Sequence, residues 1–399
     1  MLGIQGYFVA QVTHEQDKVI VDLKKEDHSY RCGRCGRTSF IYYDRRRVVV
    51  EDLTIWGKRS FLRFYKHRIR CEHCRKVVTE AVDFVAPNRR YTKRFESFIG
   101  YLCKEMTVKA VSELTGFHWD TVRDIDKRYI QAHIAAIDWK QITQLSIDEV
   151  SYRRRHKYFT ILSDHRSGRT VKILEGRKSK VVSKFFKSLA PEVRFQIELV
   201  TMDMWRAYRK AVRKCFPNAV IIYDKFHIIR HLNQAIDKVR IQEQKRLDKE
   251  GYSVLKGSRW LLLTNRTSLS KEQKVRLSEL CRQNQTIYRC YLLKDRLRYI
   301  LNHLTGKDGK VRLALWIRDV MRSKIGPLVH FAHMLLNWYR GVISYFQYRV
   351  TNSLAEGLNN VIGTVIKKGY GYRDLEYLKL KIMQQQMSYE ELYDYPYPH

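Results

Sequence analysis

Proline, glycine and acidic side chains are all in short supply in this 399-residue chain. With 6 Pro and 19 Gly, it is neither collagen-like nor a Pro/Gly-rich low-complexity polymer. No apolar run approaches the ~18 residues that a membrane-spanning helix needs. Residues 1–11 lack the basic start and long apolar stretch of a secretory signal. These absences predict a soluble, cytoplasmic protein. The shortage of acids says most: 41 Asp and Glu stand against 76 Lys and Arg, a formal net charge of +35. Self-repulsion on that scale destabilises a compact chain unless a polyanion neutralises it. Nucleic acid fits that need best, with anionic lipid as the alternative. Aromatics are plentiful, with 26 Tyr, 16 Phe and 7 Trp, which excludes intrinsic disorder. The length allows two to four folding units of about 100–200 residues.

The 8 cysteines are of two kinds. Cys103, Cys215, Cys281 and Cys290 are scattered and read as core residues. Cys32 with Cys35, and Cys71 with Cys74, form two Cys-x-x-Cys pairs. Each pair can chelate from a tight turn, and together they offer four thiolates to one tetrahedral zinc. Gly36 suits the positive φ of such a turn. The 35 residues between the pairs exceed the usual ~15–20, and strand-like stretches fill them at 40–43, 47–50 and 61–69. A β-rich zinc module over 1–85 follows. The alternative is a disulfide pair or plain buried thiols, which a reducing cytosol disfavours. His73 is a substitute for one thiol.

A basic break, Ala86-Pro87-Asn88-Arg89-Arg90, reads as a linker into a helical region. There Ser112 suits a helix crossing, Gly116 a tight turn and Val122 the packing of a second helix onto the first. That is helix-turn-helix spacing, placed in a segment 86–140. Its second helix, from about 119 to 129, would enter a major groove with His118, Trp119, Thr121, Arg123 and Lys127 as contacts. Asp120, Asp124 and Asp126 oppose this unless they pair locally. The alternative is a helical hairpin used for packing.

From residue 143 the hydrophobic period changes to two. Strands are expected at 144–148, 158–163 and 170–174, then a helix at 178–189 stopped near Pro191. Strands at 195–202 and 219–223 follow, separated by a helix at 205–215. Hairpins followed by crossovers imply a mixed sheet over 141–225 with helices packed on it. Residues 226–350 carry helical periodicity throughout, with Ser270 and Gln273 as a capping box. A last segment, 351–399, opens on a helix that runs to about Lys368. The chain is thus a multidomain α/β protein with a large all-helical insertion.

Three acids stand where a core would not place them: Asp148 and Asp203 at strand ends, and Glu356 on the last helix beside Gly357. If the first and fourth strands are neighbours, Asp148 and Asp203 share a crevice. Carboxylates so crowded repel, and two Mg²⁺ ions about 3.5–4 Å apart would relieve the repulsion. Glu149 is the rival of Asp148, although alternation turns it to the other face, and Asp224 is the rival of Asp203. Asp164 reads as a turn residue. Gly357 and Gly363 each cost about 1 kcal/mol in a helix interior, which makes sense if the helix lies close to the sheet or to a DNA backbone.

In order along the chain stand the two cysteine pairs, the helix-turn-helix, Ser146-Ile147-Asp148-Glu149, Thr201-Met202-Asp203-Met204-Trp205, Tyr223-Asp224-Lys225-Phe226-His227 and Asn352-Ser353-Leu354-Ala355-Glu356-Gly357. Together they resemble the ISL3-type insertion-sequence transposases of the DDE class over nearly the whole chain. The resemblance implies an RNase H-like core with Asp148, Asp203 and Glu356 as its acidic triad and Mg²⁺ or Mn²⁺ as its cofactor. It implies hydrolytic cleavage at terminal inverted repeats and transfer of the freed 3′-OH into target DNA, within a homodimer pairing two ends. It also implies a bacterial, nucleoid-associated setting. Arg89, Arg90, Arg153, Arg154, Arg155, Lys367 and Lys368 are further candidate DNA contacts, and Asn352, Asn359 and Asn360 lie near Glu356. Two other readings stay open at this level: a zinc-containing regulator without catalysis, and a structure-specific nuclease on the same core.

Overall fold

The computed structural model describes residues 3–134, 136–153, 157–252, 254–350, 353–369 and 371–388, with side chains of the 353–368 helix from Gly357 onward. Two compact units emerge, one of residues 1–135 with 368–399 and one of 136–367. Among the described residues, no helix is long and apolar enough to cross a membrane.

The first unit opens with β1 (Tyr7–His14), β2 (Lys18–Lys25), β3 (Tyr30–Arg31), β4 (Thr38–Ser39), β5 (Tyr42–Ile55), β6 (Lys58–Cys71) and β7 (Lys76–Thr79). The main sheet runs β1-β2-β6-β5 with β7 also on β6, and only the β2–β6 pair is parallel. Alternation decides its faces. Val19, Val21 and Leu23 of β2 join Leu62 and Phe64 of β6 over Val50, Val82 and Val85. The expected strands at 40–43 and 47–50 are one 14-residue strand, β5, interrupted in apolar pattern but not in pairing by Arg45, Arg46 and Arg47. Its turn into β6 runs through Trp56 and Gly57, both at positive φ, as tight hairpins prefer. That hairpin fills the gap between the cysteine pairs and returns the chain to Cys71.

The expected linker is pinned to the sheet. Glu51 N donates to Arg90 O, Thr92 N to Glu51 O, and the buried Asp52 carboxylate accepts from Thr92 Oγ1 at 2.7 Å and from Arg94 Nε at 2.7 Å. The zinc module and the helices α1 (Lys93–Glu105), α2 (Val108–Thr115) and α3 (Trp119–His133) are therefore one unit. The α2–α3 turn follows the sequence logic: Gly116 has φ +74°, Ser112 Oγ donates to Phe117 O, and Val122 is fully buried.

The second unit contains β8 (Gln144–Arg153), β9 (Lys157–Asp164), β10 (Thr170–Glu175), α4 (Ser179–Ser188), α5 (Pro191–Gln196), β11 (Leu199–Met202), α6 (Arg206–Cys215) and β12 (Val220–Tyr223). The sheet order is β10-β9-β8-β11-β12, antiparallel across β10-β9-β8 and parallel across β8-β11-β12. Pro191 starts a helix where it was expected only to stop one. At the first helical position its missing N–H costs nothing. The next strand begins at Leu199 in consequence, four residues later than expected.

The insertion is helical as expected: α7 (Lys225–Lys249), α8 (Arg259–Leu263), α9 (Lys271–Gln283), α10 (Gln285–His303), α11 (Gly306–Ser323), α12 (Gly326–Asn337) and α13 (Tyr339–Tyr348). The Ser270–Gln273 capping box is present. A Cβ on Gly341 of α13 would come within 2.4 Å of the Tyr223 ring, so glycine allows helix and sheet to approach. Gly357 and Gly363 of α14 (Ser353–Lys368) differ from expectation. A Cβ at either would meet nothing within 4 Å, so packing on the sheet does not demand them.

Residues 351–399 were expected to form the last part of the core, and by packing the described residues of 368–388 group with the first unit. There α15 (Leu375–Gln384) packs on α3 through a buried polar network. Lys381 Nζ lies 3.0 Å from Asp126 Oδ2, and Tyr377 Oη and Gln384 Nε2 also donate to that carboxylate. Asp126 is fully buried. Lys381→Met should destabilise this unit by about 3–5 kcal/mol, because it strands a buried carboxylate. Adding Asp126→Asn should recover most of the loss, read as the urea midpoint of the full chain.

Candidate functional site

In the parallel ladder Ile147 pairs with Met202 and Met202 with Tyr223. The next residue on each strand is an aspartate: Asp148, Asp203 and Asp224. β11 and β12 end there, so the three acids stand in one row at the carboxyl edge of the sheet, where open α/β sheets place ligands. They border a cleft of about 210 Å³ with Glu149, Phe226, His227, Arg230 and Asn359.

Two of these neighbours, Asn359 named beside Glu356 and His227 in a quoted motif, were not paired with a particular acid. His227, on the first turn of α7, places Nε2 2.6 Å from Asp203 Oδ1 and 3.9 Å from Asp224 Oδ2. Asn359 of α14 donates from Nδ2 to Asp148 Oδ2 at 2.7 Å. A faint signal for His227 existed, since it sits one turn beyond a strand-ending acid. Arg230 reaches within 3.8 Å of Asp203 Oδ2. The rivals separate by their partners. Asp224 caps α7 by accepting from Phe226 N, and Glu149, although it borders the same cleft, is held by Arg177 at 3.1 Å. Asp164 caps its own turn through Ser167.

Burial, and then the charge of Asp203, raises the Asp148 carboxyl to about 6 from an ordinary 3.8. Burial lowers His227, but the Asp203 carboxylate outweighs it and the net shift is upward. Donor atoms of Asp148, Asp203 and His227 lie within 4.8 Å of one another. His227 Nδ1 and Asn359 Oδ1 are buried without a hydrogen-bond partner. Crowded oxygens with too little positive charge beside them suit a divalent cation. Glu356 lies on α14, but its side chain is outside the described residues.

In the first unit, the knuckles after β3 and between β6 and β7 bring the four cysteines together. Cys32 and Cys74 Sγ are 4.0 Å apart, and Cys35 and Cys71 Sγ 3.7 Å. A tetrahedron with Zn–S arms of ~2.3 Å has edges of about 3.8 Å, so the thiols fit a structural zinc and are too far apart for disulfides. Gly36 and Arg75, each following the second cysteine of its pair, both take positive φ. His73 is not in the cluster.

The candidate DNA contacts fare unevenly. On α3, Arg123 is paired with Asp120 and Asp124 and lies over Trp119, Lys127 with Asp374, and His118 caps the helix toward Asp120. Trp119 is exposed and Thr121 half-buried. Arg90, Arg153, Lys367 and Lys368 are exposed and Arg89 is half-buried. Arg154, Arg155 and Asn352 lie outside the described residues.

Residues 145–382 match the profile of ISL3-type DDE transposases, described simply as transposase. Residues 80–130 match the helix-turn-helix domain of transposase family ISL3, and 28–74 the zinc-finger of transposases IS204/IS1001/IS1096/IS1165. The transposase for insertion sequence element IS1001 of Bordetella parapertussis is 31% identical over 386 residues, covering 95% of each chain. The transposase for insertion sequence element IS1557 of Mycobacterium tuberculosis is 28% identical over 370 residues, covering 86% of this chain and 82% of the relative.

Two outcomes follow from this geometry. Protein purified without chelator should carry one zinc per chain by elemental analysis, lost in Cys32→Ser; a content near zero in wild type would refute the zinc site. The folded chain holds the Asp148 proton more tightly than the unfolded chain, so stability falls as pH rises from 3.8 to about 6, and the whole loss is in place above that. In EDTA at neutral pH, Asp148→Asn should therefore raise stability by about 1–3 kcal/mol. An unchanged or lowered melting temperature would count against that repulsion.

Proposed function

The chain belongs to the ISL3 family of transposases, and from that premise we propose that it cuts the ends of an insertion sequence and joins them to target DNA, with Asp148, Asp203 and Glu356 as its catalytic acids. The observation that carries this reading is the row of carboxylates in one cleft, Asp148 within β8 and Asp203 and Asp224 just beyond the ends of β11 and β12. Asn359 supports the third member. It follows Glu356 by three residues, which share a helix face, and it hydrogen-bonds Asp148. Asp203 is preferred to Asp224, whose carboxylate caps α7. The sheet order, with its antiparallel hairpins followed by parallel strands, supports an RNase H-like core formed by 141–225 and the start of 351–399, interrupted by the helical insertion at 226–350.

The acids would hold Mg²⁺ or Mn²⁺, which supplies charge neutralisation and Lewis acidity to a phosphodiester. Around them this chain's own side chains do the positioning. Arg230 and His227 face Asp203 and offer positive charge to an incoming phosphate. Exposed Phe226 borders the acids and provides a surface against which a sugar or base rests. Water opens the bond at the element's end, and the released 3′-OH then attacks target DNA. No protein nucleophile is required. The zinc and helix-turn-helix modules would recognise the terminal repeats, and pairing of two ends makes a homodimer the natural assembly.

The test is cleavage of a labelled duplex carrying the DNA that flanks the reading frame, with and without Mg²⁺. Asp148→Ala, Asp203→Ala and Glu356→Ala should each lower cleavage by at least ~100-fold while leaving DNA affinity unchanged. Asp224→Asn, which keeps the helix cap, should retain activity. Undiminished cleavage by any of the three alanine variants removes that residue from the triad. Specific binding without cleavage by wild type would point to a regulator.

A further inference from the structure

The helix expected to read DNA has little free charge to offer. Arg123, Lys127 and His118 all face carboxylates within the unit, and α3 itself carries Asp120, Asp124 and Asp126. The β5–β6 hairpin of the same unit is the reverse. Arg45, Arg46 and Arg47 are exposed, and none forms a salt bridge among the described residues, Arg47 acting on Asp22 only through space.

Register places these arginines on both faces of the ribbon. Arg45 pairs with His67 and Arg47 with Tyr65, while Arg46 stands directly opposite Lys66 on the other face. Like charges facing across a ladder destabilise it, and no described carboxylate of the unit pairs with either side chain. Arg45 lies over the Tyr65 ring at 4.5 Å. Exposed Phe40, Tyr43 and Tyr65 are interleaved with the cations. Arg45, Arg47, Lys24 and Tyr65 also line a cleft of about 630 Å³ on the sheet. Of its acids, Asp22 is held by Arg63 and Asp27 by Ser29, leaving Glu26 on the rim. β2 pairs with β6 only between Arg59 and Arg63, so beyond that point the arginine-bearing arm extends past β2.

We propose that the β5–β6 ribbon, through Arg45, Arg46 and Arg47, is the main phosphate-binding surface of this unit for double-stranded DNA, ahead of α3. A two-stranded ribbon fits a major groove, where cations on both its faces meet both phosphate walls. The inference rests on the DNA-binding reading above and names the surface that carries it.

The experiment is fluorescence anisotropy of the zinc-loaded full chain on a labelled random-sequence duplex, titrated with salt. Each phosphate contact contributes about −0.9 to the slope of log affinity against log salt. Arg45→Gln/Arg46→Gln/Arg47→Gln should flatten the slope by about 2–3 and weaken binding more than tenfold at ~0.1 M salt. Arg45→Lys/Arg46→Lys/Arg47→Lys should restore the slope, and Arg123→Gln/Lys127→Gln should change it by less than about one. If the triple glutamine variant loses its zinc, the three single glutamine variants are read instead, each expected to remove about 0.9. A folded glutamine variant with the wild-type slope overturns the proposal alone. Absence of salt-dependent duplex binding by wild type overturns the DNA-binding reading beneath it.

Discussion

Repulsion between carboxylates set side by side is the constraint around which the larger unit is arranged. Two parallel strands end in the same register row, and β8 runs past it, so Asp148, Asp203 and Asp224 stand beside one another by topology. Nothing apolar could relieve that crowding. The described partners relieve only part of it: an amide from α14, an imidazole and a guanidinium from α7. The first helix of the insertion and the helix that follows the insertion thus converge on one short edge of sheet. The surrounding core of Ile147, Met202, Ile222 and Tyr208, buried to the last atom or nearly so, holds the edge in place against its own charge. A fold that departs from local consistency at one place, and compensates through packing elsewhere, is what functional sites require.

The basic excess of the chain is organised by contrast with that acidic edge. In the first unit, acids on and beside the helices hold α3 and α15 together and pair with the cations of α3. Arg45, Arg46 and Arg47, in no salt bridge among the described residues, stand on the long hairpin that also connects the two zinc knuckles. Zinc would therefore do more than close a small loop. By tying Cys71 and Cys74 to Cys32 and Cys35, it would fix both ends of a ribbon whose middle carries three consecutive arginines.

Features encoded by neighbours in sequence were legible before any coordinates. The Cys-x-x-Cys pairs, the Ser112–Gly116–Val122 spacing and the Ser270–Gln273 cap each act over a few residues, and each has its expected geometry. Asp203 was legible as an acid ending an apolar strand, and Asp148 was read the same way although β8 runs on to Arg153. What escaped was set by distance along the chain. Asn359 meets Asp148 across 211 residues, and Lys381 meets Asp126 across 255. Neither contact leaves a periodic trace. Glu149 was turned away on paper by strict alternation, but β8 continues beyond its parallel partners, and Glu149 borders the cleft on that open stretch. Pro191 was ambiguous for a simpler reason: the same ring ends one helix and begins another.

The return of α15 to α3 has a consequence for how the protein is made. Asp126 is synthesised some 250 residues before the lysine that neutralises it. Until then the recognition helix has a core position occupied by an unpaired carboxylate. Domains generally fold as they emerge from the ribosome, N-terminal first. Here the helical part of the first unit cannot finish folding until α15, which follows the acidic edge in sequence, has been translated. Prematurely terminated chains would keep the β5–β6 ribbon but carry α3 with its buried carboxylate unpaired.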